Sequence, residues 1–560
     1  MAKQKTSQKF VYKLHSSILE KTDWDLKLPL KKAIAHKTDI ITLADSQCLR
    51  FIDEINGIDT EAQAKEKKKI IKALKRKDDL KSKNEVRKLY YDLYKMQFRQ
   101  DYVCIIMDKV SHYDKLNKGF YINNIHYRRF LGTNGGIKNS TIIYVSDGHK
   151  TDKKYNGVYY DLKKKLDCGR DKSVPIIPAK LEAYQALICS GSVPVSMPKG
   201  IIVVPDCITK FKSDVINIDD TLSDEPIVET ITKDIELIDS DGYGFMLPSL
   251  SKRWNKELGG NENEYLSGVN TRGLPWTKGM LFTFDFIEFG EKIANNYMVK
   301  DVWGDYRDVR DAEVILTEGM LKLWSSYSSY EDYMENVEKY NYTFAVSKTA
   351  PMQLENERST NYQFLQSYEL TEKDIEELTS HTVNEIQEVI GLDYNKTILF
   401  LNGENINPDN IPDDYKKALM IDKRMINDPF VRSVVYNSIK KKIRQAKIGV
   451  LKVHGNYAII CGDPYSLAQS MFGLKVTGLL KKGECYHKYW TDENVDEIVC
   501  FRAPMTSHNN IRKLNVAATD EMKHWYQYIN TCCCLNSWDT TCEALNGADK
   551  DKSHCPCKTW

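Results

Sequence analysis

Residues 542–551 read CEALNGADKD, and they place two carboxylates, Asp549 and Asp551, two positions apart in a loop that also contains Asn546 and Gly547. Carboxylates at positions i and i+2 of a tight loop can direct their oxygens at one hard cation, and Mg²⁺ prefers such oxygen ligands. The same spacing is common in surface loops that bind nothing. The pair therefore predicts a metal site only together with the segments around it.

Two segments upstream of this loop carry further polar residues next to short β-rich runs. Residues 501–513, FRAPMTSHNNIRK, contain Arg502, Pro504 and His508, and residues 462–473 read GDPYSLAQSMFG. The runs GVLKVHGNYAIICGD, VTGLL and EIVCF that adjoin these segments have the composition of strands. The C-terminal part of the chain is therefore predicted to be β-rich.

An earlier β-rich block contains a second set of polar residues. Residues 236–250, ELIDSDGYGFMLPSL, predict a hairpin turn at DGYG, and residues 271–281, TRGLPWTKGML, contain Arg272 and Lys278. A lysine followed by glycine lets the backbone approach a phosphate while the ammonium group neutralises its charge. Lys322, in ILTEGMLKLW, is predicted to lie at the start of a helix, where a lysine is usually only solvated.

These segments, in this order, resemble the single-subunit, two-barrel phage RNA polymerases of the YonO type. That family is related to eukaryotic-type RNA-dependent RNA polymerases and to the catalytic barrels of multisubunit RNA polymerases, and the resemblance covers roughly residues 100 to 551. It implies that the aspartate loop, residues 546–551, holds the catalytic Mg²⁺. The implied catalytic residues are Asp549 and Asp551, which are also the metal ligands, with Lys278 and Arg502, and the implied substrate-binding residues are Lys322, Arg272, Pro504 and His508.

The resemblance implies a DNA-directed RNA polymerase that transfers nucleotides from NTPs to the 3′-hydroxyl of RNA in a two-metal reaction. The implied partners are a DNA template, the RNA product and NTPs, without a membrane. We expect a monomer in the cytoplasm, which is that of the bacterial host if the chain is phage-encoded. Two alternatives stay open: the template is RNA, because the same two-barrel core serves both templates, or the chain is a non-catalytic remnant that binds nucleic acid.

The aspartate loop departs from the family pattern D-x-D-G-D. Residues 549–553 read DKDKS, without the glycine and the third aspartate, and the chain continues with HCPCKTW. We therefore expect a truncation within the loop, an incomplete second barrel with an exposed strand edge, and weak or absent polymerase activity. The cysteines that crowd this end lack two CxxC pairs, which makes a zinc site the weaker interpretation.

Composition sets the frame for these expectations. The chain has 560 residues, 42% apolar and 28% charged, with a formal net charge of +2 that neither indicates nor excludes a nucleic-acid partner. No apolar run approaches the roughly 18 residues that a spanning helix needs, and the N-terminus has no apolar segment typical of a secretory signal.

The predicted fold class is α+β, with two double-psi β-barrel-like domains, the second incomplete, and helical N-terminal and connecting regions. The predicted division is a Lys-rich helical region at 1–100, a mixed α+β domain at 101–225, the first, lysine-bearing barrel at 226–350, a helical connector at 351–445 and the second, aspartate-bearing barrel at 446–560.

Overall fold

The computed structural model describes most of the chain, and at residues 61–63 and 554–558 it describes the backbone alone. Asp549 and Asp551, the two expected metal ligands, lie outside the described residues. Within the described ranges, every helix is too short or too polar to cross a bilayer. The described residues are 8–36, 39–58, 61–75, 79–133, 136, 139–221, 225–366, 369–403, 411, 413–506, 508–548, 550 and 554–558.

The N-terminal part of the chain contributes the strands of one seven-stranded sheet. They are β1 (Gln8–His15), β2 (Asp25–Leu26), β3 (Ile40–Ala44), β4 (Phe98–Ile106), β5 (Phe120–Ile122), β6 (Ile125–Leu131) and β7 (Thr141–His149). Their order across the sheet is β2-β5-β6-β7-β4-β1-β3. The helices of this part are Ser16–Glu20, Leu30–His36, Gln47–Ile55, Glu61–Leu74, Leu80–Gln97, Tyr113–Lys118, Tyr159–Asp167 and Pro178–Gln185.

The prediction that residues 1–100 are mainly helical is wrong for β1 and β3. Strand β1 lies parallel to β4, with Tyr12 opposite Val103, and antiparallel to β3, with Tyr12 opposite Ile40. The two strands of this parallel pair are far apart in the sequence. No local pattern therefore distinguishes β1 from a short amphipathic helix. The boundary expected at residue 100 consequently falls inside β4.

The middle of the chain builds a second seven-stranded sheet and two hairpins. The strands are β8 (Val193–Pro194), β9 (Ile201–Val204), β10 (Ile208–Asp219), β11 (Ile227–Ile238), β12 (Tyr243–Met246), β13 (Gly268–Arg272), β14 (Gly279–Thr283), β15 (Met298–Lys300), β16 (Tyr306–Asp308), β17 (Val314–Thr317) and β18 (Ala345–Thr349). The sheet has the order β8-β18-β13-β14-β12-β17-β9, and β10-β11 and β15-β16 pair separately. The helices here are Pro248–Glu257, Phe286–Phe289 and Tyr330–Lys339.

The DGYG segment does not form the hairpin turn that the sequence predicts. It follows β11, which pairs with β10, and leads into β12, which pairs with β14 and β17. The segment therefore connects two different sheets. Turn-forming residues predict a change of direction, but they do not determine which strands pair on either side.

A helical connector follows the second sheet, and its helices carry clear start signals. Thr371 and Asp374 form a reciprocal capping box at one helix, and Asp428 caps another whose first residue is Pro429. Strands β19 (Glu357–Ser359) and β20 (Lys452–His454) pair antiparallel at the two ends of the connector. The helices are Tyr362–Gln366, Glu372–Ile390, Tyr394–Asn402, Asp414–Ile421 and Pro429–Lys447.

The C-terminal part of the chain forms a closed barrel. Its strands are β21 (Asn456–Cys461), β22 (Glu484–Tyr486), β23 (Glu497–Phe501), β24 (Ile511–Val516), β25 (Cys532–Leu535) and β26 (His554–Lys558), in the order β21-β25-β22-β24-β23-β26. The expectation of an incomplete second barrel with an exposed edge is therefore wrong. Strand β26 pairs antiparallel with both β21 and β23, so residues 554–558 supply the closing strand. The helices of this part are Pro464–Met471, Lys488–Asp492, Asp520–Trp525 and Thr541–Ala544.

The middle sheet and the barrel share one hydrophobic core. Phe289 lies against Tyr465, with ring centroids 5.1 Å apart, and against Trp525, at 5.2 Å. Phe284 stacks on Trp525 at 5.8 Å. Aromatic pairs of this geometry contribute roughly 0.5–1.5 kcal/mol beyond the burial of their surface. This packing fixes the two sheets relative to each other and brings together the polar segments that lie between them.

Candidate active site

The lysine-glycine and DGYG segments lie side by side. Strands β12 and β14 run parallel with Tyr243 opposite Met280, and the N–H of Met280 donates to the oxygen of Gly242 at 2.9 Å. Gly279 has a φ of +153°, and a Cβ atom there would lie less than 3.0 Å from the same oxygen. Only a glycine at position 279 allows the two backbones to come this close. The contact places Lys278 directly beside the DGYG segment.

The two candidate lysines lie on one face of a short antiparallel ladder. Thr277 bridges to Leu321, the N–H of Lys278 donates to Met320 at 3.0 Å, and the N–H of Lys322 donates to Trp276 at 3.1 Å. In this register Lys278 and Lys322 are diagonal neighbours on the same face. Both side chains are partly exposed. The predicted helix around Lys322 is absent, because the glutamate-glycine turn after β17 continues into this ladder and the helix begins only at Tyr330.

A half-buried carboxylate that the sequence analysis did not single out lies at the end of β9. Asp206 accepts hydrogen bonds from the hydroxyl of Ser240 at 2.9 Å and from the N–H of Gly319 at 3.3 Å. Burial raises the pKa of Asp206, the Ser240 hydrogen bond opposes this change, and the nearby charge of Asp241 adds to it. The position of an aspartate two residues after the apolar run GIIVV was the available signal.

The GDPYSLAQSMFG segment of the barrel packs against DGYG. A Cβ atom on Gly462 would lie 2.7 Å from a ring carbon of Tyr243 and 2.9 Å from the backbone oxygen of Asp239. The Tyr243 hydroxyl lies 3.1 Å from the Asp239 carboxylate and 3.2 Å from the backbone oxygen of Asp463. The Asp463 carboxylate itself is buried, caps the following helix through Tyr465, and accepts a 2.6 Å hydrogen bond from Tyr526. It is therefore a structural group.

The aspartate loop reaches the same junction through Lys550. Its Nζ atom donates to the backbone oxygen and to the Oδ1 atom of Asp239, both at 2.6 Å. The side chains of Lys550 and Asp239 are 3% and 0% exposed. Burial disfavours the ammonium charge, but the Asp239 carboxylate outweighs this effect and raises the pKa of Lys550 above its usual value. Lys550 stands between Asp549 and Asp551 in the sequence, and the contact places Lys550 itself beside the DGYG segment.

Arg502 holds the start of the same loop. Its Nη1 atom donates to the backbone oxygens of Asn546, Leu545 and Gly547 at 2.7, 3.2 and 3.4 Å. A second link joins the same segment to the helix Thr541–Ala544, because the Nδ2 atom of Asn510 donates to the backbone oxygen of Ala544 at 2.7 Å. The exposed residues of the same segment, Pro504 and His508, lie between these two anchors in the sequence.

Arg272 differs from the other candidate residues because its side chain is buried. It lies at the end of β13, is 8% exposed, and donates from Nη1 to the oxygen of Thr271 at 2.6 Å. The preceding residue, Thr271, pairs with Gly279. Arg272 therefore lies near the lysine-glycine segment within the sheet.

The described residues contain no cluster of three or more metal-ligating side chains. The structure brings together the segments of Lys278, Lys322, Asp239, Gly462 and Lys550, and it connects Arg502 to the aspartate loop. The cysteines of β25 are packing residues: Cys532 and Cys534 belong to the shared core, and Cys533 belongs to the core inside the barrel. Their alternation follows from the two-residue period of a strand.

Comparison with known proteins finds similarity to two RNA polymerases. No protein-family model matches the chain. Over 427 residues, 74% of the chain, the sequence is 29% identical to the DNA-directed RNA polymerase YonO of Bacillus phage SPbeta. The sequence is therefore similar to that of a YonO-type phage RNA polymerase. The resemblance expected from the sequence segments is thereby confirmed.

The extent of these similarities is limited in two ways. The matched region is 46% of YonO, so the chain spans about half the length of the curated relative that it matches. The fold is similar to that of the RNA-dependent RNA polymerase QDE-1 from Thielavia terrestris, with a TM-score of 0.53, 82% of this chain and 49% of that chain covered, and 12% sequence identity. At this identity the similarity concerns the fold alone, and it agrees with the mixed α and β architecture described above.

Proposed function

We propose that the chain is a DNA-directed RNA polymerase that extends RNA by nucleotidyl transfer from NTPs, with weak activity because its aspartate loop lacks the third aspartate of the family pattern. The observation that carries the proposal is the convergence of four segments at the junction of the middle sheet and the barrel. These segments are the lysine ladder, DGYG, GDPYSLAQSMFG and the aspartate loop. They come from distant parts of the chain, and each was singled out from the sequence, the lysine and aspartate segments by their chemistry and DGYG and GDPYSLAQSMFG by their resemblance to the family.

The cationic side of the site would bind the triphosphate. Lys278 and Lys322 lie on one face and are partly exposed, so two ammonium groups can approach neighbouring phosphate oxygens. Charge-assisted hydrogen bonds of this kind are roughly twice as strong as neutral ones. Arg272 lies behind this surface and would orient β13, and the exposed Pro504 and His508 would contact the nucleotide from the barrel side.

The acidic side of the site would hold Mg²⁺ through Asp549 and Asp551. Two carboxylates separated by one residue supply the hard oxygen ligands that this ion takes, and Lys550 between them is occupied by Asp239. Bound Mg²⁺ would lower the pKa of the RNA 3′-hydroxyl and stabilise charge on the phosphates. In the transfer, the 3′-oxygen forms a bond to the α-phosphorus, the bond to pyrophosphate breaks, and the hydroxyl proton passes to solvent. Arg502 would fix the loop through its carbonyl contacts.

We extend the proposal to the architecture and setting. The middle sheet and the barrel would correspond to two double-psi barrels at residues 226–350 and 446–560, joined by the helical connector at 351–445 and preceded by the regions 1–100 and 101–225. The protein would act as a monomer in the cytoplasm of a bacterial host, with a DNA template, an RNA product and NTPs as its partners.

The test is incorporation of labelled NTPs with Mg²⁺ on three templates: single-stranded DNA, duplex DNA and single-stranded RNA. The proposal expects RNA products on DNA and their loss in Asp549→Ala. Synthesis on RNA alone would favour an RNA-dependent enzyme, as the structural neighbour is named. Binding of nucleic acid without incorporation would show a non-catalytic remnant, and synthesis that survives Asp549→Ala would contradict the assigned site.

A further inference from the structure

The contact between Lys550 and Asp239 joins two segments that lie 311 positions apart in the sequence. The Nζ atom makes two hydrogen bonds of 2.6 Å to the same residue, one to the carboxylate and one to the backbone oxygen. Neither side chain reaches solvent, since their exposed fractions are 3% and 0%. The pair therefore fixes both the side chain and the backbone of Asp239 relative to the loop.

Asp239 is itself held in place by the surrounding segments. Its N–H donates to the oxygen of Cys207 at 2.8 Å, and its second carboxylate oxygen accepts from the hydroxyl of Tyr243 at 3.1 Å. Gly462 packs against its backbone oxygen. A carboxylate with these partners is held rigidly. An exposed ion pair, in contrast, loses side-chain entropy and gains little electrostatic attraction.

Lys550 occupies the variable position of the D-x-D pattern, between the two proposed metal ligands. The side chain of Lys550 connects the backbone of the loop to Asp239, which lies just before the DGYG segment. We propose that Asp239 and Lys550 are positioning residues that hold the aspartate loop against the middle sheet in the orientation that binds the divalent cation. This inference rests on the proposed function, and it assigns a role to two residues that make no contact with substrate.

The positioning role and a simple charge effect predict opposite changes in cation affinity when Lys550 is replaced. If Lys550 acted only as a nearby positive charge, Lys550→Met would remove a repulsion and strengthen cation binding. If Lys550 positions the loop, the same substitution weakens cation binding, by about 10–100-fold if the loss is like that of other groups that orient ligands. The sign of the change distinguishes the two roles.

The first measurement uses the full-length chain without metal. Hydrogen exchange of the amides in residues 542–551 is compared among the unsubstituted chain, Lys550→Met and the double variant Asp239→Asn/Lys550→Met. The double variant removes both charges of the buried pair. We therefore expect it to fold even if the single variant, which leaves Asp239 without its cation, does not. Faster exchange in this peptide supports the proposal, and unchanged exchange overturns it.

The second measurement is Mn²⁺ binding to the same variants, followed by electron paramagnetic resonance. We expect at least tenfold weaker binding in Lys550→Met and in the double variant. The matched control is Arg99→Met, which removes another buried cation. Arg99 lies on β4 of the N-terminal sheet, its side chain is 2% exposed, and it pairs with Asp53 of the helix Gln47–Ile55. This control should lower thermal stability without changing Mn²⁺ affinity or the exchange of residues 542–551.

The outcomes separate this inference from the proposed function. Mn²⁺ binding that is lost in Asp549→Ala but equal or tighter in Lys550→Met would keep the proposed site and overturn the positioning role. Mn²⁺ binding that no variant alters would overturn the metal site itself, and the positioning role with it. Weaker binding in Lys550→Met together with faster exchange, both absent from Arg99→Met, is the result that the inference predicts.

Discussion

The Nη1 atom of Arg502 lies 2.7 Å from the backbone oxygen of Asn546 and within hydrogen-bond reach of the two neighbouring carbonyls. The same guanidinium therefore binds the backbone carbonyls at the start of the aspartate loop. These oxygens follow the helix Thr541–Ala544, where carbonyl groups have no partner within the helix. Arg502 thus links the segment of strand β23 to the proposed metal-binding loop.

Arg502→Met should lower the rate of NTP incorporation by about 10–100-fold, because the loop loses its anchor while the proposed ligands remain. The change should appear as a higher requirement for Mg²⁺, measured as the concentration that gives half of the maximal rate. Lys513→Met is the matched control, since this exposed lysine on β24 only pairs with Glu497. Equal rates for Arg502→Met and Lys513→Met would contradict the anchoring role.

Lys278→Met and Lys322→Met should each weaken the use of NTPs. Removal of one charged donor from a phosphate typically costs about 10²–10³-fold in rate when the donor acts in the transition state. We expect the larger loss at Lys278, which adjoins the DGYG contact, and a smaller one at Lys322. Steady-state kinetics with varied NTP concentration measure both, with the exposed Lys256 as the control site for the same substitution. An effect at Lys256 as large as at Lys278 would refute a specific role.

Gly279→Ala should destabilise the fold more than an equivalent change at a glycine without neighbours. A Cβ atom at Gly279 would overlap the oxygen of Gly242, so β12 and β14 would have to separate. Gly483 also has a positive φ, +78°, but nothing lies within 4 Å of the added atom. We expect Gly279→Ala to lower the free energy of unfolding by roughly 1–3 kcal/mol more than Gly483→Ala in urea titrations. Similar unfolding midpoints would contradict the close packing of the two segments.

Removal of strand β26 should expose the edges of β21 and β23. A variant that ends at residue 553 would leave these two strands with unpaired backbone groups, which favours association between copies. We expect light scattering to report larger species and thermal unfolding to begin at a lower temperature than in the full chain. A monomeric variant with unchanged unfolding would show that the tail does not close the barrel.

The segments proposed to form the site could be singled out from the sequence because each carries its characteristic residues within a short local stretch. The glycine at 279, the arginine at 502 and the aspartate loop each carry a pattern that is legible within a few residues, and the structure brings their segments to one junction. The order of two β-rich blocks separated by helices was likewise visible from the alternation of apolar runs. These features depend on neighbours in the chain.

The rest depends on contacts between distant residues, which no local pattern encodes. The pairing of β1 with β4, the closure of the barrel by β26 and the ion pair of Lys550 with Asp239 all join segments that are far apart in the sequence. The tail HCPCKTW contains Pro556, and a proline inside so short a run argues against a strand. Lys550 reads as a solvated lysine in a polar loop, and only the structure shows that it is buried.

The central claim is that the lysine ladder, DGYG, the start of GDPYSLAQSMFG and the aspartate loop surround one divalent cation. Fe²⁺ bound in place of Mg²⁺ generates hydroxyl radicals with ascorbate and peroxide, and mass spectrometry maps the backbone cuts. We predict cuts near residues 239–243, 278–279, 462–463 and 549–551 that excess Mg²⁺ suppresses and Asp549→Ala abolishes. Cuts confined to the aspartate loop, or a pattern that Asp549→Ala leaves unchanged, would contradict the claim.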